Sequence, residues 1–160
     1  MSENNSQENL QKNSQKYDCL KIENQLCFPL YASSREIVRK YTPLLKEIDL
    51  TYTQYIVMMI MWEHKKLNIG ELGKFLYLDT GTLSPLLKSM ETKGLVKRER
   101  QKNDERVVNV EITQKGESLK EKALEIPKKM GECLSLTSDE VKTLYKILYK
   151  ILGSEGESKK

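Results

Sequence analysis

The chain has 160 residues, 38% of them hydrophobic and 31% charged, with a formal net charge of +4. That is one domain's worth of chain, with a core that association would help complete and a mild basic excess that permits nucleic acid without demanding it. The longest apolar run, residues 56–62, is far below the ~20 residues of a spanning helix, the opening MSENNSQENLQKNSQ predicts no signal peptide, and three cysteines make no disulfide framework, which predicts reduced thiols in the cytoplasm.

Residues 1–17 hold almost nothing to bury and are predicted to be a disordered polar tail. Residues 18–50 follow as an N-terminal segment, with a helix expected over 22–41 whose apolar side carries Leu26, Leu30, Ile37 and Val38. Cys27, Tyr31, Ser34, Val38 and Tyr41 share one face of it. Pro29 either sets the helix start a residue or two before itself, with Cys27 in the first turn, or kinks a helix that began earlier. Pro43 is expected to close it. Thr51, with Gln54 three residues on, then caps YTQYIVMMIMWEHK, a helix hydrophobic on most sides and therefore central.

Residues 51–112 read as a winged helix-turn-helix, centred on 69–110. Asn68 and Glu71 form a capping-box pair for the short helix IGELGKFL. In the next helix Leu83, Leu86, Leu87 and Met90 recur at helical spacing, and Gly94 supplies a left-handed stop. Pro85 is best tolerated in a first turn, so this helix should start at residues 80–82. Thr80, Thr82 and Ser84 then face outward beside free backbone amides, as a recognition helix requires for phosphate and base edges. LVKRER and RVVNVEI alternate as two strands about a QKNDE turn, which predicts a hairpin with a basic tip. From residue 88 to 106 seven basic residues face four acidic ones, a net of +3 out of the chain's +4. Lys88, Lys97, Arg98, Arg100 and Arg106 are the candidate DNA contacts from this stretch.

Thr113 opens a C-terminal segment, residues 113–153, in which Leu119, Ala123, Ile126, Met130 and Cys133 make a coiled-coil-like seam that Pro127 should bend. Thr137 with Glu140 caps a last helix striped by Val141, Leu144, Tyr145, Leu148 and Ile151, and residues 154–160 are a charged tail. The N-terminal helix and the last two carry more apolar stripe than the small winged unit can cover. They are expected to interlock with a second copy, giving a homodimer with two reading heads and a palindromic site whose half-sites lie about 34–36 Å apart. The fold class expected is therefore mainly α with a small β-hairpin wing, flanked by dimerisation helices.

Chemistry in the chain is sparse. One histidine, His64, and no CxxC or HExxH pair predict no metal and no cofactor, and without a phosphate-binding glycine loop or GxSxG no enzyme is expected. Cys27 stands apart. In a first turn the helix dipole would lower its pKa, with tyrosine hydroxyls from the same face as donors to the thiolate. The more ordinary role, from the residues alone, is a small core cysteine beside Leu26 and Phe28. If Cys27 is oxidised to a sulfenic acid, a small thiol can cap it, or Cys19 or Cys133 can condense with it.

ENQLCFPLYASSREI, KYTPLL, LTYTQYIVMMIMWEH, ELGKFLYLDTGTLSPLLKSMETKGLVKRER and DERVV, in that order, resemble the MarR family of winged-helix regulators. More closely they are similar to its organic hydroperoxide sensor repressors (OhrR), sharing the LC-x-x-LY and YLD-[ST]-GTL-[ST]-P segments. The resemblance is dense over residues 22–113 and looser over the last two helices. It implies that Cys27 is the peroxide-sensing thiol, that Tyr41 and Tyr52 hydrogen-bond to it from the partner subunit, and that Arg106 enters a minor groove with Asp104 orienting it. It also implies that Cys133, as a second C-terminal cysteine, forms an intersubunit disulfide with Cys27. Pro29 departs from the aliphatic or small residue common in the family, and Thr80 and Ser84 exchange its frequent Ser and Thr. The function expected is a dimeric repressor that leaves its operator when organic hydroperoxide oxidises Cys27. The alternatives are a regulator answering a small lipophilic or phenolic ligand with Cys27 inert, a thiol peroxidase, and a purely structural helical module.

Overall fold

The computed structural model describes residues 16–101 and 103–153, which fall into two compact units, Met1–Thr42 and Pro43–Lys160. Of the two expected tails, residues 1–15 and 154–160 lie outside the described residues, as does Lys102 at the wing tip.

In the first unit two single turns of 3-10 helix, Asp18–Leu20 and Ile22–Asn24, precede helix α1, Cys27–Lys46. The expected start near residue 22 is therefore corrected. Asn24 and Gln25 are drawn into local bonds instead, with Asn24 Nδ2 donating to the Asp18 carbonyl at 2.8 Å and Gln25 Nε2 to the Cys19 carbonyl. Pro29 falls in the first turn of α1, where a missing N–H costs nothing, and Cys27 is the first helical residue. Pro43 does not close the helix, which runs on to Lys46.

The second unit explains that extension. Leu45 is buried, and Ile48 and Leu50 both donate their N–H groups to its carbonyl through a turn with Asp49 at φ 53°. Burial plus these capping bonds outweigh the one backbone bond that Pro43 forfeits. Helix α2, Tyr52–His64, starts at the expected Thr51/Gln54 capping box and buries Val57, Met58, Met61 and Trp62. A three-residue strand, β1, Lys66–Asn68, is too short to show any alternation in the sequence. Helix α3, Ile69–Leu76, has the expected Asn68/Glu71 capping box.

A turn through Tyr77 at φ 54° leads to helix α4, Thr80–Thr92. The turn is tight because Gly73 has no side chain: a Cβ there would lie 2.6 Å from the Leu78 carbonyl oxygen. Gly94, at φ 72°, ends α4, with Leu95 N–H returning to the Met90 carbonyl and Gly94 N–H to that of Glu91. Strands β2, Val96–Gln101, and β3, Asp104–Ile112, form the expected hairpin, and β1 joins it in an antiparallel sheet of order β1-β3-β2. Arg98 pairs with Val110 and Leu67 with the same residue from the other side, while the register shifts between Arg100 and Gln101. Leu72, Leu83, Leu87, Met90, Val96 and Val110 close the core around α2.

Helix α5, Gln114–Ala123, is seated by Gly116, whose carbonyl accepts from Trp62 Nε1 at 2.9 Å. Helix α6, Glu125–Leu134, follows after a break at Leu124. Pro127 cannot donate to the Ala123 carbonyl, so the ladder is interrupted while Leu124 keeps helical torsions and Ala123, Ile126 and Met130 stay buried. Helix α7, Ser138–Ile151, has the expected Thr137/Glu140 capping box and buries no residue; the Tyr145 and Tyr149 rings stack on it, 5.9 Å apart. Among the described residues no helix is long and apolar enough to cross a membrane.

Candidate functional site

The apolar residues of α4 fix which of its faces points away from the protein. Leu83, Leu87 and Met90 are buried, which leaves Thr80, Thr82, Ser84 and Lys88 exposed, as expected from their spacing. Pro85 sits beyond the first turn instead of within it, because Asp79 fixes the helix start. Asp79 Oδ1 accepts from Thr82 N–H at 2.9 Å and Oδ2 from the Thr82 hydroxyl at 2.8 Å. The Thr82 N–H, then its hydroxyl, hold the Asp79 carboxyl below the usual carboxylate range. The expectation of free amides at this end is thus corrected for Thr82, whose N–H a protein carboxylate already occupies. Asp followed by a polar helical first turn is the signal in the sequence that marks such a cap.

Beside α4 the wing presents Lys97, Arg100 and Arg106, all exposed. Asp104 meets Arg106 through the backbone: its Oδ1 accepts the Arg106 N–H at 3.0 Å, which sets the chain direction at the wing. Arg98, expected as a DNA contact, has a partner within the chain. Its Nε and Nη2 donate to Glu91 Oε2 at 2.9 and 2.8 Å, and its N–H to Oε1 at 2.9 Å. The guanidinium is held to the recognition helix in a half-buried fork, and that fork keeps the Glu91 carboxyl below its usual range. Glu91 has no mark in the sequence beyond lying on the turn of α4 that faces β2.

The thiol residues are divided between the units. Cys27, Tyr31 and Tyr41 belong to Met1–Thr42, whereas Tyr52 and Cys133 belong to Pro43–Lys160. Cys27 is exposed and reduced, and Leu26 and Phe28 beside it are exposed too, so a core-cysteine role within the chain is overturned. One turn on, Tyr31 accepts from Arg35 Nη1 at 3.1 Å through its hydroxyl oxygen, which leaves its proton to give elsewhere. The Arg35 guanidinium also lies 5.5 Å from the Tyr31 ring centroid. Tyr41 and Tyr52 are partly buried. Burial pushes the Tyr52 phenol above its ordinary value, so it remains a donor at neutral pH. Cys133 is exposed near the end of α6, while Met130, one turn before it, is buried. Cys19 is exposed within the first 3-10 turn.

A short helix, a turn, an outward-facing second helix and a β-hairpin define a winged helix-turn-helix, the class of DNA-reading regulators. A family model described as transcriptional regulator SarA/Rot matches residues 39–123. The chain is 46% identical over 137 residues to the organic hydroperoxide resistance transcriptional regulator of Bacillus subtilis strain 168, spanning 86% of this chain and 93% of that one. Its fold matches that of reduced AbfR bound to DNA with a TM-score of 0.72 and 34% identity, over 86% of this chain and 96% of that one. A mutant MarR from E. coli complexed with operator DNA matches with the same TM-score, 0.72, at 28% identity, over 79% of this chain and 93% of that one. The chain belongs to the MarR-type winged-helix family of transcription regulators, in its organic hydroperoxide resistance (OhrR) group. It is a regulator and not an enzyme.

Proposed function

We propose that the chain is a cytoplasmic homodimeric repressor that holds a palindromic operator while Cys27 is reduced and leaves it when organic hydroperoxide oxidises that thiol. The observation that carries the reading is the position of Cys27: an exposed thiol at the first residue of α1, the end of a helix that favours negative charge. The thiolate attacks the outer peroxide oxygen, the O–O bond breaks, the alkoxide takes a proton to leave as an alcohol, and sulfur becomes a sulfenic acid. The Cys133 thiol of the second subunit then attacks that sulfur, forming the S–S bond and expelling water. Tyr31, Tyr41 and Tyr52 support the thiolate by donating hydrogen bonds. On the DNA side Thr80, Thr82, Ser84 and Lys88 face the major groove, and Lys97, Arg100 and Arg106 serve the wing, with Asp104 setting its backbone.

AbfR has been solved on DNA both reduced and overoxidised, and separately in a disulfide form. Because an overoxidised relative still sits on DNA, the release step is assigned to the disulfide and not to the charge of an oxidised thiol. The exposed apolar face of α7 supports a second copy as its cover. Electrophoresis without reductant, after one equivalent of organic hydroperoxide, tests the scheme: a covalent dimer should form together with loss of operator binding. Cys27→Ser should bind DNA, ignore the peroxide and give no covalent dimer, and Cys133→Ser should also give none while Cys19→Ser still does. A Cys27→Ser protein that still releases DNA on peroxide would refute the sensor, and a covalent dimer in Cys133→Ser would refute the pairing.

A further inference from the structure

We infer that Thr82 and Ser84 meet DNA as hydrogen-bond acceptors, so that α4 selects base edges carrying amino groups, adenine or cytosine, on the strand that faces them. The polarity rests on α4 being the DNA-contacting helix and adds to that reading which kind of base edge it can accept.

A hydroxyl has one proton and two lone pairs, and where the proton goes decides what remains for a ligand. Thr82 Oγ1 lies 2.8 Å from Asp79 Oδ2. An ionised carboxylate has no proton to give, so Thr82 is the donor. Asp79 is ionised at neutral pH, since the Thr82 N–H and hydroxyl both favour its charged form. Ser84 Oγ lies 2.6 Å from the Thr80 carbonyl oxygen, which can only accept, so Ser84 donates as well. Both protons are thereby turned back into the protein, and both side chains are exposed, on either flank of the buried Leu83. What they present outward is lone pairs.

In the major groove adenine N6 and cytosine N4 donate, whereas guanine O6 and N7 and thymine O4 only accept. A lone pair set against O6 or O4 makes no bond and leaves two desolvated acceptors facing each other, a mismatch that disfavours the wrong base by about tenfold. Turning the Thr82 proton outward would cost its bond to Asp79, one of the two that define the helix start. Asp79 is therefore a positioning residue: it acts on specificity by holding the proton of Thr82.

The test is site selection by the full-length reduced protein from a random duplex pool, followed by affinities for duplexes carrying each base at the selected positions. Thr82→Val, which keeps the branched shape without the hydroxyl, identifies the position that Thr82 reads. At that position the wild type should favour adenine or cytosine by about tenfold. Asp79→Asn keeps a side-chain oxygen for the Thr82 N–H but turns an amide N–H₂ toward the hydroxyl, so the hydroxyl proton is released outward. Its preference at the same position should swap to guanine or thymine, a change that a mere loss of helix capping would not produce. Ser84→Ala should abolish an amino preference at a second position without touching the cap, and so serves if Asp79→Asn folds poorly. A wild-type preference for guanine or thymine there, an unchanged preference in a folded Asp79→Asn, or no position altered by Thr82→Val would each overturn the inference. A wild type that binds no duplex would instead remove the DNA reading beneath it.

Discussion

Glu91 and Arg98 join the recognition helix to the wing, and cutting that joint should loosen one against the other. Three bonds converge on the Glu91 carboxylate, two from the guanidinium and one from the Arg98 N–H. The side chains are 25% and 35% exposed, between an open surface pair at about 0.2–1 kcal/mol and a buried charged bond at about 1.5–3. Glu91→Ala should therefore cost about 1.5 kcal/mol, and a double-mutant cycle with Arg98→Ala should give a coupling near 1 kcal/mol, since the backbone bond survives in Arg98→Ala and drops out. Urea denaturation at one fixed protein concentration measures both, the concentration being held because association contributes. On DNA, Glu91→Ala should bind about fivefold more weakly because the wing must be ordered on binding. Arg98→Ala should leave the salt dependence of binding unchanged, while Lys97→Ala should lower its slope by about one per contact. A coupling below ~0.3 kcal/mol, or a salt slope that falls in Arg98→Ala as in Lys97→Ala, would refute the joint and return Arg98 to the DNA face.

Gly116→Ala should destabilise by about 2–4 kcal/mol, because a Cβ there would lie 2.2 Å from the Leu95 carbonyl oxygen and 2.9 Å from Ile112 Cγ1; a urea midpoint equal to wild type would show that α5 can shift away. Asp79 and Glu91 are both held below ordinary carboxylate values, so their stabilisation is fully present above the unfolded-state values near 4 and is lost as pH falls through the lower folded ones. Wild type and Asp79→Ala should thus differ by the same free energy from pH 7 down to about 5 and converge only in stronger acid, a difference checked by denaturation at each pH. Arg106→Ala should lose affinity chiefly on sites with A·T-rich flanks, as a wing residue entering a narrow minor groove would; equal loss on G·C-rich flanks in parallel gel shifts would count against it.

The parts of the fold visible in the sequence were those set by short-range chemistry. Thr51 with Gln54, Asn68 with Glu71 and Thr137 with Glu140 mark helix starts because the cap partners lie three residues apart, and all three capping boxes are formed. Pro29 offered the observed start of α1 as one of two alternatives, for the same local reason. Pro43 misled because the forces that carry α1 past it are tertiary: Leu45 is buried, and Leu50 folds back to its carbonyl. Strand β1 was invisible for a related reason, since three residues become a strand only when β3 lies beside them. On α4, spacing placed the hydroxyls outward but was silent on their protons, which depend on Asp79 and the Thr80 carbonyl. The Glu91 partner of Arg98 was not legible because charge along a sequence does not record a neighbour on another element.

The last helices carry the same lesson into the dimer. Leu144, Tyr145, Ile147, Leu148, Tyr149 and Ile151 of α7 are between 36% and 59% exposed, although they recur at the spacing of a core-facing stripe. Covering side chains already about half buried is worth roughly 1 kcal/mol each. Six of them in each protomer yield on the order of 12 kcal/mol in a two-fold pair, comparable to the 4–15 kcal/mol that association costs in lost freedom. In the proposed homodimer, further apolar surface from the exposed Leu26, Phe28 and Tyr31 of the N-terminal unit would tip that balance. The distance between two recognition helices would then be fixed by the elements that carry Cys133, far in sequence from Thr80, Thr82 and Ser84. In the proposed scheme a disulfide to Cys133 would not need to touch a single DNA contact to release the operator; it would have only to change a spacing that must match about 34–36 Å between successive major grooves.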